Sequence, residues 1–160
     1  MVPAMRSRII LVAAIFILRL TLIGQAQAPL FGTWKLNLAK SAYDPGPPPY
    51  KRSTCRIEPW EDGMKVTYDM VGTRGGITHL EWIGRLDGKD YPIEGLDDVL
   101  TNAYTRIDDR TFEVILKVDG VKAAVARIAI STDGKTLTTT TTARNAQGRS
   151  VITTTVYEKQ

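Results

Sequence analysis

Seven short turn signals punctuate the chain: Asp62-Gly63, Gly75-Gly76, Asp87-Gly88, Asp108-Asp109, Asp119-Gly120, Asp133-Gly134 and Gln147-Gly148. Glycine after an acidic or amide residue supplies the positive φ that tight hairpin turns require. The signals recur roughly every 11 to 14 residues, which leaves room for one strand of ordinary length and a turn. Between them the sequence is rich in Val, Ile, Thr, Tyr and Phe and has no sustained 3.6-residue period. Strands are therefore expected over 32–38, 52–58, 64–71, 77–86, 90–94, 99–107, 111–118, 121–131, 135–144 and 149–159. Ten antiparallel strands joined by short hairpins either close or expose two long unpaired edges. The expected fold class is all-β, an antiparallel up-and-down meander closed into a barrel of 8–10 strands, with no substantial helix in the mature chain.

Period-two alternation assigns faces. Met64, Val66, Tyr68 and Met70 fall on one face of their strand, as do Leu80, Trp82 and Leu86, and Phe112, Val114, Leu116 and Val118. The 121–131 segment is ambiguous, because Lys122 and Arg127 fall on opposite faces, as a β-bulge would produce. The Thr136–Thr142 run, broken only by Leu137, favours a strand without saying which face is wet. Residues 39–50 carry four prolines and are expected to form a stiff connection without regular structure.

Residues 1–26 read as a signal peptide. Arg6 and Arg8 precede the apolar run Ile9–Leu18, and small residues follow at Gly24, Ala26 and Ala28. The run is short for a membrane span and is followed by Arg19. Cleavage after Ala26 is preferred to cleavage after Ala28, where Pro29 would follow the cut, and the folded domain is taken as 27–160. Localisation is expected to be periplasmic or secreted, without a stable membrane anchor after cleavage. The leader holds three arginines and no acid, so the net charge of +4 falls to +1 without it. With no basic cluster interleaved with aromatics, nucleic acid is not an expected partner. Cys55 is the single cysteine, so the core rather than a disulfide must supply stability.

The first strand reads Phe31-Gly32-Thr33-Trp34-Lys35-Leu36-Asn37-Leu38, with Trp34, Leu36 and Leu38 on one face. Its Gly-x-Trp opening, together with the all-β pattern behind it, resembles the calycin superfamily, the lipocalins and intracellular fatty-acid-binding proteins. The closing Val156-Tyr157-Glu158-Lys159 is similar to the last strand of the fatty-acid-binding proteins. The resemblance implies a lipocalin-like β-barrel with Trp34 as the plug of its closed end. It also implies a site at the last strand, where that family carries Arg-x-Tyr to hold a ligand carboxylate. Tyr157 matches the Tyr, whereas Thr155 stands in place of the Arg. A second departure is the short proline-rich connection where the family inserts a helix-turn-helix lid, so the entrance must differ.

Catalytic groups are scarce. His79, the one histidine, alternates with Glu81 onto the face opposite Leu80 and Trp82, a surface position, although an inward histidine would suit haem. Asp97-Asp98 and Asp108-Asp109 read as turn residues that cap backbone amides. No zinc-ligand spacing, nucleophile elbow or phosphate loop occurs. No enzyme activity, metal or cofactor is expected. The leading expectation is an exported protein that binds a small apolar or amphipathic molecule inside the barrel. The expected ligand-binding residues are Tyr68, Trp82, Tyr104, Arg106, Thr155 and Tyr157, with Asn102 as a further polar group. Arg106 points inward if Leu100, Asn102 and Tyr104 do, and outward if the alternate face of that strand is the core. A filled barrel serving as an envelope or protein-interaction domain is the competing reading, and an unrecognised enzyme the third.

Overall fold

A computed structural model describes residues 28–96 and 99–160; the signal-peptide expectation for 1–26 and the Asp97-Asp98 turn lie outside the described residues. Eleven strands appear among them: β1 (Gly32–Leu36), β2 (Ala42–Asp44), β3 (Tyr50–Trp60), β4 (Gly63–Gly72), β5 (Ile77–Gly84), β6 (Tyr91–Glu94), β7 (Leu100–Arg106), β8 (Thr111–Val118), β9 (Val121–Ile130), β10 (Thr136–Arg144) and β11 (Ser150–Lys159). β1 and β3 to β11 follow one another as antiparallel neighbours, and pairing of β1 with β11 closes the ring into a ten-strand barrel. All ten expected strands are present. β2 was not expected; it lies within the proline-rich connection and adds to β11 alone.

Differences at the ends of elements have local causes. β1 stops at Leu36 because Asn37 caps a single 3₁₀ turn, Leu38–Lys40, accepting from the Lys40 amide at 3.2 Å. β3 runs past its expected end and includes Pro59, which is tolerated because β1 pairs with β3 only as far as Ile57, so no neighbour asks for the missing N–H on that side. The turn expected at Asp62-Gly63 instead uses Glu61 and Asp62, with Glu61 at φ 48°. Gly63 is required for proximity rather than for its dihedrals, since a Cβ there would sit 2.1 Å from the Gly84 carbonyl oxygen. At Asp119-Gly120 the reading is met, both residues having positive φ (50° and 76°).

A bulge between β8 and β9 settles the ambiguous strand. Leu116 pairs with Ala124 while Lys117 pairs with Lys122, leaving Ala123 extra. Ala124, Ile128 and Ile130 are then buried, and Lys122 and Arg127 are both exposed.

The core gathers at one end of the barrel. Trp34 is fully buried, and its indole N–H donates to the Leu30 carbonyl at 3.0 Å. The core cluster includes Leu30, Ile57, Met64, Val66, Phe112, Ile128, Ile130 and Leu137. The Lys159 ammonium lies 4.9 Å from the Trp34 ring centroid on the solvent side, a cation–π contact that caps the plug. Replacement of Trp34 by Ala is expected to cost about 3–5 kcal/mol, the range for truncating a large core aromatic. Guanidinium unfolding monitored by the remaining tryptophans checks this, and an unchanged midpoint would remove the plug role.

Candidate ligand site

Packing inside the barrel loosens along its length. On β8, Phe112 and Val114 are buried but Leu116 and Val118 only half-buried; on β10, Leu137 is buried but Thr139, Thr141 and Ala143 are not. β11 repeats the gradient, from buried Tyr157 through half-buried Thr155, Thr153 and Val151. Register places these residues side by side: Leu137 opposite Tyr157, Thr139 opposite Thr155, Thr141 opposite Thr153. The interior is thus a cup, filled around Trp34 and progressively open toward the 119–120 and 145–148 hairpins, its open wall built from small Ala and Thr side chains.

Aromatic and polar groups meet at the boundary between the two halves. Trp34 pairs with Cys55, which pairs with Tyr68, which pairs with Leu80, so alternation carries these four side chains to one level of the barrel. Tyr68 stands edge-on to Tyr157, with ring centroids 6.5 Å apart. The Tyr157 hydroxyl shares a buried 3.1 Å hydrogen bond with the hydroxyl of Ser53, itself fully inaccessible. Across the barrel Trp82 packs against Tyr104 at 4.4 Å and Tyr91 at 5.8 Å, and donates its indole N–H to the Asn102 carbonyl at 3.1 Å. Tyr68, Trp82, Tyr104 and Asn102, with Val66, Leu80, Glu81 and Ile93, line a partly open cavity of about 70 Å³. That is space for about two waters at the liquid share of roughly 30 Å³ each.

Four of the six expected site residues therefore meet in this constellation, Trp82, Tyr104 and Tyr157 buried and Tyr68 half-buried, and Thr155 borders it on the open wall. Arg106 does not. β7 presents Asn102 and Tyr104 inward as expected, but Arg106 ends the strand and is exposed; its guanidinium bonds the Asp109 carboxylate and, through Nε, the Asp108 carbonyl at 3.2 Å. The correction is physical: at the strand end water and Asp109 are within reach, whereas an unpaired charge in the core is prohibitively costly. His79 is exposed on the outer face, its Nδ1 2.7 Å from Asp69 Oδ1, and so is turned away from the interior. Among the described residues the buried polar side chains are Ser53 and Thr67, neither of them charged. Ser53 and Tyr91 were missed. Ser53 alternates with Cys55 and Ile57, so its face was legible, but a lone serine carries no sequence signal for an internal hydrogen bond.

Burial sets the ionisation of this cluster. Desolvation pushes the Cys55 thiol up to about 12 and Tyr157 up to about 12, and also raises Tyr68 and Tyr104, each favouring its neutral form. A folded-state value above the unfolded one, 9.0 for the thiol and 10.0 for a phenol, stabilises the fold fully below the unfolded value and loses that stability as pH rises through the folded one. The denaturant midpoint is therefore expected to fall between pH 9 and 12. In the same range Cys55 should react with a thiol reagent, and the phenolate absorbance of Tyr68, Tyr104 and Tyr157 should appear, only together with unfolding. Phenolate absorbance and circular dichroism recorded on one alkaline titration check this; full ionisation before loss of structure would contradict the buried placement.

No protein-family model and no curated protein matches the sequence. Among solved structures the fold is similar to that of the zebrafish ileal bile acid-binding protein crystallised with cholic acid, with 14% identity, a TM-score of 0.50, and coverage of 82% of this chain and 99% of that one. A likeness at that identity concerns the fold alone, a closed antiparallel β-barrel.

Proposed function

We propose that this chain is an exported, non-enzymatic binding protein that holds one small apolar or amphipathic molecule, with a neutral rather than an ionised polar end, in the open half of its barrel. The observation that carries the reading is the chemistry of the interior: an Ala- and Thr-lined wall leading down to tyrosine and serine hydroxyls, with no buried charge among the described residues. Apolar walls with a few placed polar groups describe most small-molecule sites. A neutral hydroxyl offers a ligand roughly half the hydrogen-bond strength of a charged donor, and does so without the desolvation cost of a buried cation. The exposed position of Arg106 and the threonine at position 155 both argue against recognition of a carboxylate from inside. The structural neighbour was crystallised with cholic acid, which supports a barrel of this kind as a small-molecule host. Export rests on the basic, apolar and small-residue order of the first 28 residues.

The small size of that cavity, about 70 Å³, favours a second reading, a filled barrel that acts as an envelope or interaction domain. The two separate in a titration of delipidated protein with the neutral fluorophore N-phenyl-1-naphthylamine, competed by palmitate and by methyl palmitate. The ester is expected to displace the probe at concentrations no higher than the acid. Displacement by the acid at a concentration lower by on the order of tenfold, about 1.4 kcal/mol of preference, would instead indicate a cation reading the carboxylate. Absence of probe binding would favour the filled barrel.

A further inference from the structure

Although the ring of strands is closed at the Trp34 end, its wall is discontinuous higher up. β1 pairs with β3 from Gly32–Ile57 to Lys35–Thr54 and goes no further. Beyond Lys35 the chain stays with β11: the Asn37 amide donates to the Val156 carbonyl at 2.8 Å, and β2 pairs Ala42, Tyr43 and Asp44 with Thr154, Thr153 and Ile152. β3 meanwhile continues upward from Ser53 to Tyr50, paired there with β4 alone. Among the described residues no backbone hydrogen bond joins β2 to β3. The barrel therefore has a side window, bounded by β2 on one side, by Tyr50–Ser53 on the other and by the Pro45–Pro49 crossing above.

An aromatic residue stands on each of its facing lips, on the inner face. Tyr43 lies opposite Thr153, on the inner face that Thr155 and Tyr157 share. Tyr50 lies opposite Gly72, on the inner face that Met70 and Tyr68 share. Both are half-buried, and register puts Tyr43 on the inner-face row of β11 that leads to Tyr157 and Tyr50 on the inner-face row of β4 that leads to Tyr68. A molecule passing between β2 and β3 would thus meet two planar, apolar faces and then the innermost hydroxyls of the cup.

We propose that this window is the entrance to the barrel, with Tyr43 and Tyr50 as its two leaves, opened by movement of β2 with the proline-rich crossing rather than by parting of the hairpins at the rim. β2 suits that role. It is three residues long and held to β11 only, and the chain on either side of it is not in the sheet, so shifting it leaves the ring of ten strands intact. This entrance presupposes the binding function proposed above.

The test exploits two exposed outward positions on the lips, Asp44 and Arg52. Asp44→Cys with Arg52→Cys, bridged by a short bis-maleimide, should slow both association and dissociation of N-phenyl-1-naphthylamine by on the order of tenfold in stopped flow, while Kd changes little; buried Cys55 remains unlabelled. Each single-cysteine variant capped with a monofunctional maleimide provides the control. In the uncross-linked protein, Tyr43→Ala and Tyr50→Ala should speed both rates. Unchanged rates in the bridged protein, with probe bound, would place the entrance elsewhere and leave the binding function standing. Failure of the unmodified protein to bind any probe would overturn both.

Discussion

The pairing of β1 with β11 is the constraint on which the rest of the molecule depends. Trp34 stands opposite Lys159 and Leu36 opposite Tyr157, and Trp34 and Lys35 pair on their other side with Cys55 and Thr54 of β3. This five-residue strand therefore joins the first long hairpin to the last one and removes the two edges that a ten-strand meander would otherwise expose. Its inward side chain is the fully buried Trp34, whose one polar atom is satisfied by the Leu30 carbonyl just before the strand. Closure and core formation are consequently one event. Strand pairing brings Trp34 into one core cluster with Met64, Phe112 and Leu137, and burial of that indole holds the two ends of the chain in register.

Closure also determines what kind of polarity the interior can hold. With the Trp34 end sealed, any polar group at the level of Cys55 and Tyr68 must be satisfied within the barrel, and among the described residues no buried side-chain N or O lacks a partner. Hydroxyls suit this level because each can donate and accept: Ser53 with Tyr157 is one such pair, and among the described residues no Lys, Arg, Asp or Glu is buried. Charges are kept outside, where they cross-link strands on the outer face, as Lys65 does with Glu81 at 2.6 Å and Lys117 with Asp90 at 2.6 Å. Such partly exposed pairs contribute little individually. Their consequence is that the chain retains many charges while its cup stays neutral.

The strands were legible because period-two alternation and turn glycines act within a few residues. That local signal located all ten ring strands and the inward faces carrying Met64, Tyr68, Trp82 and Phe112. It failed where a non-local partner decides. Ala42–Asp44 has no alternation long enough to read and becomes strand only because β11 offers a free edge. Arg106 sits on an inward face by alternation, yet the strand ends there, and the distance to the barrel rim is a property of the whole ring. The site was readable to the same extent: the face of each tyrosine follows from its own strand, whereas the meeting of Ser53 with Tyr157, 104 residues apart, follows only from the register of β1 with its two neighbours.

The discontinuity between β2 and β3 follows from composition in a way that pairing rules make concrete. After Asp44 four of the next five residues are proline, and a proline has no N–H to give to a ladder. The segment that would have to zip β2 to β3 as a hairpin is thus short of donors, while β2 has another edge available on β11. Ser41 completes the diversion: its hydroxyl accepts from the Val156 amide at 3.0 Å and donates to the Asn37 carbonyl at 2.8 Å, supplying at the break between β1 and β2 the bonds that the ladder omits. The chain can therefore leave β3, follow β11 and cross back over the mouth without a buried orphan. A barrel closed at one end by tryptophan and opened at its side by proline needs no helical lid to have both a core and a way in.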